Sequence, residues 1–224
     1  MEAMILPFIM ACATNNAPEV HQFITKHGIS GAAVNLMDGS NGFLCACQED
    51  CIDIVKLLVI AGYDLDFKNI FGITGFMKAC YYGRYEIIEY LLQFNVDVNT
   101  QDNNGSTALM EGTNSSSINT YIYSLIDSIM LLFLTYLSIN KACMTGNSLV
   151  TYMLLRKNAN LELEDSNGNT AFIVACEWGN TKIAEILLAN GANVAKANNS
   201  NKTGFHYLDR GTVLACKKVR VFLI

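Results

Sequence analysis

Proline is almost missing from this chain, 2 residues in 224, and with only 16 glycines it matches neither a collagen-like nor a proline-rich low-complexity architecture. Charged residues are scarce at 16% while hydrophobic ones reach 51%, a balance too apolar for intrinsic disorder. Basic residues are the minority charge. Fifteen Lys and Arg stand against 20 Asp and Glu, a net charge of −5, so no general basic field exists to hold a phosphate backbone and no nucleic-acid partner is expected. Three histidines, His21, His27 and His206, form no metal-spaced pair, and no Gly-rich phosphate loop or nucleophile elbow is present. The expectation is therefore a chain with no catalytic, cofactor-binding or metal-binding residues and no small-molecule ligand.

Disulfide density is also low, at 8 cysteines, and the chain is long enough not to need staples. The cluster Cys45, Cys47, Cys51 has no histidine beside it and lacks the paired spacing of structural zinc, so these read as small buried hydrophobes. Asp165-Ser166-Asn167-Gly168-Asn169 starts like a calcium loop, but Thr170 and Cys176 stand where the required Gly and Glu belong. The apolar start, Met1 to Ala13, has no positive residue, carries Glu2 and is broken by Pro7, which argues against a signal peptide and for a cytoplasmic, reducing location. Tyr121 to Ile139 is long and apolar enough to cross a bilayer and is the sole membrane candidate. Spanning would leave two halves of one repeat array on opposite sides, each with an unburied apolar face.

That array is visible by subtraction. Thr74-Gly75-Phe76-Met77 and Thr107-Ala108-Leu109-Met110 lie 33 residues apart, as do Thr170-Ala171-Phe172-Ile173 and Thr203-Gly204-Phe205-His206; Asn41-Gly42-Phe43-Leu44 precedes Thr74 by the same interval. Alanine precedes Cys12, Cys47, Cys80, Cys143 and Cys176. Each unit continues with an apolar stripe at helical spacing, such as Ile54, Val55, Leu57, Leu58 or Ile183, Ile186, Leu187, Leu188. Gly62, Asn95 and Gly191 follow these helices as expected left-handed caps. A threonine N-cap, a glycine two residues before it for the sharp turn, and small Ala-Cys pairs for tight stacking give each motif a physical reason.

A 33-residue helix-turn-helix unit with Gly-x-Thr-x-(Leu/Phe), as in Gly105-Ser106-Thr107-Ala108-Leu109 and Gly168-Asn169-Thr170-Ala171-Phe172, resembles the ankyrin repeat. The resemblance covers nearly the whole chain. It implies an all-α ankyrin-repeat solenoid, helix-turn-helix units with extended turn tips. Approximate units are 1–35, 36–68, 69–101, 102–164, 165–197 and a partial 198–224. Two features depart from the family: Gly or Ala replaces the proline usual after the threonine, and the following histidine survives only at His206, which implies a less rigid array.

The fourth unit is interrupted by 30 extra residues, 112–141, whose removal rejoins Glu111 to Ala142 in register. The segment is rich in Ile, Tyr, Leu, Asn and Ser, and a GGT codon for Gly112 with AAA-GC across Lys141-Ala142 would supply splice-site dinucleotides. A retained intron is one reading, and an inserted hairpin or amphipathic helix packed on the array is the other.

The resemblance implies a noncatalytic protein-protein interaction scaffold or adaptor, partner unidentified, binding through its concave face and turn tips. The alternatives are the targeting region of a larger enzyme, a kinase or ubiquitin ligase, and a membrane-associated ankyrin protein; the apolar end at Phe222-Leu223-Ile224, with no polar cover, motivates the first. Turn tips and the two positions after Ala-Cys imply Ile70, Phe71, Ile73, Tyr81, Tyr82, Met144, Glu177 and Trp178 as partner-binding residues. Acidic Glu49 and Glu177 nearby point to an apolar partner segment with some basic residues.

Overall fold

The computed structural model describes residues 2–32, 39–114 and 146–208. Local sequence sets each unit. At the start of α3 (Gly42–Gln48) the Asn41 side chain accepts the Leu44 N–H at 3.1 Å. Thr74 does the same for Met77 at 3.2 Å, opening α5 (Gly75–Tyr81), and Thr170 for Ile173 at 3.4 Å, opening the helix Ala171–Glu177. Each of these short helices then stops at a residue in the left-handed region. Gly83 and Gly179 take that position at φ 63° and 70°, and Asn15 and Asp50 occupy it without being glycine.

The described elements are α1 (Glu2–Ala13), α2 (Ala17–Ala32, kinked at Gly28), α3, α4 (Ile52–Ile60), α5, α6 (Tyr85–Leu91), α7 (Ala108–Asn114), α8 (Gly146–Arg156), α9 (Ala171–Glu177), α10 (Thr181–Ala189) and a closing 3-10 turn, Gly204–His206. They pack as pairs, α1 with α2 through α9 with α10. The odd-numbered helices and the 3-10 turn stack in one row and the even-numbered helices in a second. The core runs between the rows: Cys12, Ala46, Cys47, Ala79, Cys80, Ala175 and Cys176 are fully buried in the first row, as are Ile54, Leu58, Ile87, Leu91, Val150, Leu154 and Leu187 in the second. Burial pushes the Cys12 thiol up to about 12 and raises those of Cys47 and Cys80, as suits side chains used as small hydrophobes.

Three details correct or complete the sequence reading. Gly62 and Gly191 adopt positive φ, but Asn95 does not: α6 ends through successive tight turns, Gln93 N–H to Tyr90 O and Phe94 N–H to Leu91 O, so no left-handed cap is needed. Pro7 does not interrupt α1, and by register it holds the family's proline position, equivalent to Gly42 and Gly75. The glycines that replace proline also have a steric cause. A Cβ on Gly42 would lie 2.8 Å from Phe8 Cε1, one on Gly75 2.5 Å from Phe43 Cε1, and one on Gly204 2.5 Å from Phe172 Cε1. Bulky phenylalanine in one unit fills the space a side chain would need in the next.

The fourth unit keeps its helix pair. Gly112 to Asn114 complete α7, and α7 packs on α8 although 31 residues outside the described part separate them. Most of the segment 112–141, the apolar run Tyr121 to Ile139, Cys143 and the chain end beyond 208 lie outside the described residues. Among the described residues no helix is long and apolar enough to cross a membrane, and no group of three metal-ligating side chains forms.

Candidate partner-binding face

Side-chain carboxamides and carboxylates build the turn tips at each repeat. Asn69 Oδ1 accepts the N–H groups of Phe71 and Ile73, Asp102 Oδ1 those of Asn104 and Ser106, Asp165 Oδ1 those of Asn167 and Asn169, and Asn198 Oδ1 those of Ser200 and Lys202, all at 2.8–3.1 Å. The apparent calcium loop at Asp165 is thus a repeat turn. Neighbouring tips are stitched: Asn103 N–H donates to Phe71 O at 2.9 Å while its Nδ2 reaches Ile70 O at 2.8 Å, and Asn199 repeats the pattern on Asn167 and Ser166. With their backbones held, Ile70 and Phe71 leave their side chains 59% and 51% exposed. Fixing the backbone before contact lowers the ordering cost of binding.

The inner helices add a second set. Tyr81 and Glu177 are the last residues of α5 and α9, and Tyr82 and Trp178 the caps that follow. Trp178 is 60% exposed and Tyr81 39%. Tyr82 is half-buried, edge-on to Tyr81 at a 4.9 Å centroid distance, with Lys78 Nζ 5.9 Å and Arg84 Cζ 5.7 Å from its ring centre.

A cleft of about 170 Å³ opens where α5 faces the next unit, lined by Ile73, Met77, Lys78, Tyr81, Tyr82, Asp102 and Glu111. It gathers three residues picked out from the sequence, Ile73, Tyr81 and Tyr82. Ile70 and Phe71 lie on the adjoining tip, Glu177 and Trp178 stand two units further along, and Met144 lies outside the described residues. Met77, Lys78, Asp102 and Glu111 were not singled out. Their signal was a register comparison: Glu111 falls where the other units have Cys45, Lys78 and Val174, so its charge is no requirement of the repeat. Burial, and then repulsion from Asp102, raise the Glu111 carboxyl above the ordinary range, against a hydrogen bond from Ser106 and the weaker attraction of Lys78.

Paired helices stacked in two rows, with hydrogen-bonded tips along one edge, define an α-solenoid of the helical-repeat class. The chain belongs to the ankyrin repeat family, whose model (three copies) matches residues 43–127 and 137–207. It is 40% identical over 58 residues to a protein of Oryza sativa subsp. japonica named as a probable E3 ubiquitin-protein ligase, covering 25% of this chain and 12% of that one. The ankyrin repeat and SAM domain-containing protein 6 of Mus musculus is 37% identical over 78 residues, 34% of this chain and 9% of its own length. The ankyrin repeat protein YahD of Escherichia coli (strain K12) is 32% identical over 85 residues, 37% and 42%. The chain spans about a tenth of the first two relatives and less than half of the third. Ankyrin repeats are protein-interaction modules and are generally noncatalytic.

Proposed function

We propose that this chain is a noncatalytic scaffold that binds a protein partner across its turn tips and inner-helix ends, through Ile70, Phe71, Ile73, Tyr81, Tyr82, Glu177 and Trp178. Met144, at the register position of Tyr81, belongs to the same expected surface. The observation that carries this reading is the placement of large apolar side chains. Ile70, Phe71, Tyr81 and Trp178 are exposed on elements whose backbones are fixed by hydrogen bonds, and aromatic anchors on a rigid frame are what partner surfaces use. The test is capture of partners from the native source with the full chain and with a Tyr81→Ala/Trp178→Ala variant. The partner is retained by the first and depleted from the second; identical recovery by both places binding elsewhere.

A second reading is favoured by the ligase relative: the array is the targeting region of a longer ubiquitin ligase. Sequencing the full transcript tests it, since a message that encodes no catalytic domain contradicts the ligase reading.

A further inference from the structure

The cleft beside α5 contains charge that the fold does not ask for. Asp102 organises its turn through one oxygen, and Asn69 and Asn198 do the same work in other units without a charge. Glu111 occupies a position filled elsewhere by cysteine, lysine or valine. Both carboxylates line one cleft with two tyrosines, Ile73 and Met77. The cation that shares the cleft is engaged with the preceding unit, Lys78 Nζ donating to Gln48 Oε1 at 3.1 Å and lying over the Tyr82 ring.

We propose that this cleft receives an arginine or lysine side chain of the partner polypeptide, its aliphatic stem against Met77 and Tyr81 and its cationic head between Asp102 and Glu111. The proposal rests on the reading of this face as the partner-binding surface and names the chemistry it selects. An aromatic wall accepts both the stem and the cation, and two carboxylates supply charge-assisted acceptors where Glu111 is half withdrawn from water. A bound cation also offsets the repulsion between the two acids, which adds to burial in raising the Glu111 carboxyl in the unbound chain.

The experiment is selection of peptides from a random phage-displayed library on the full chain, followed by calorimetric titration of the selected peptides. Expected peptides carry a basic residue beside apolar ones. Replacing that residue by citrulline or norleucine weakens binding roughly tenfold, Glu111→Gln weakens the parent peptide to a similar degree, and the two changes together cost little more than either. Melting curves confirm that the Glu111→Gln chain is folded. Peptides that need Tyr81 but bind equally well without a basic residue, or to Glu111→Gln, overturn the proposal and leave the partner-binding reading standing. Peptides indifferent to Tyr81, Trp178 and Glu111 alike overturn both, and a library that yields no Glu111-dependent binder overturns the proposal.

Discussion

Gly75→Ala tests whether phenylalanine in one repeat excludes a side chain from the next. The added Cβ would lie 2.5 Å from Phe43 Cε1, 2.7 Å from Cδ1 and 3.1 Å from Cys47 Sγ, against roughly 3.5–4.0 Å for ordinary carbon contact. Phe43 has little room to yield, because its ring is 1% exposed and stacked on Tyr63 at 5.1 Å, and the Tyr63 hydroxyl meets the Asn41 side chain. Overpacking of this kind costs about 1–3 kcal/mol, and the helix preference of Ala over Gly returns up to about 1, so the net loss lies between about 0 and about 3 kcal/mol. Shape alone does not forbid a methyl: by register Phe76 faces Ala108, but Val96 there takes the place of Tyr63. The assay is urea unfolding of Gly75→Ala, Phe43→Leu and the double variant. A coupling of about 1 kcal/mol or more in favour of the double variant is expected. A Gly75→Ala chain more stable than the parent, or strictly additive changes, refutes the steric account.

Three further predictions concern the interrupted unit and its acid. Deleting residues 112–141 places Ala142 where Gly112 sits, and among the described residues a Cβ there meets only Val150, at 3.1 Å from Cγ1, so the shortened chain folds with unchanged helix pairing and a melting temperature no lower than the parent's. If the segment is a retained intron, as we propose, mature messages lacking its 90 nucleotides exist; messages that all retain it contradict that origin. Glu111 has a folded pKa above its ordinary 4.5, through burial first and Asp102 next, so the folded state holds its proton more tightly and ionisation weakens the fold as pH rises from 4.5 through the raised value. Glu111→Gln therefore melts higher than the parent at pH 7 and converges with it below pH 4.5. A parent that is the more stable at pH 7 refutes the sign.

The repeat was legible because it is written in residues with local duties. Thr74 and Thr170 cap helices, Gly72, Gly105 and Gly168 turn with positive φ, and Ala-Cys pairs stack, so subtraction finds the period and the recurring motif carries the resemblance to the family. The turn-tip residues were legible through that register, since Ile70 and Phe71 precede a recognisable turn. Less visible were features that depend on two units at once. Gly75 reads as permissive backbone until Phe43 is seen pressing on it, and Asp102 and Glu111 share a cleft only because α7 stacks on α5. Asn15 and Asp50 hide the left-handed stop that Gly83 and Gly179 advertise, since only the aligned register shows that all four end the first helix.

On the proposed function, the exposed aromatic residues bind a protein partner and are not needed for folding. The decisive measurement titrates the captured partner against the full chain, Trp178→Ala and Tyr81→Ala, with unfolding curves recorded on the same samples. Each substitution is expected to weaken binding by about 1–3 kcal/mol while stability stays within about 0.5 kcal/mol of the parent. Affinity unchanged in both variants, with both still folded, contradicts it.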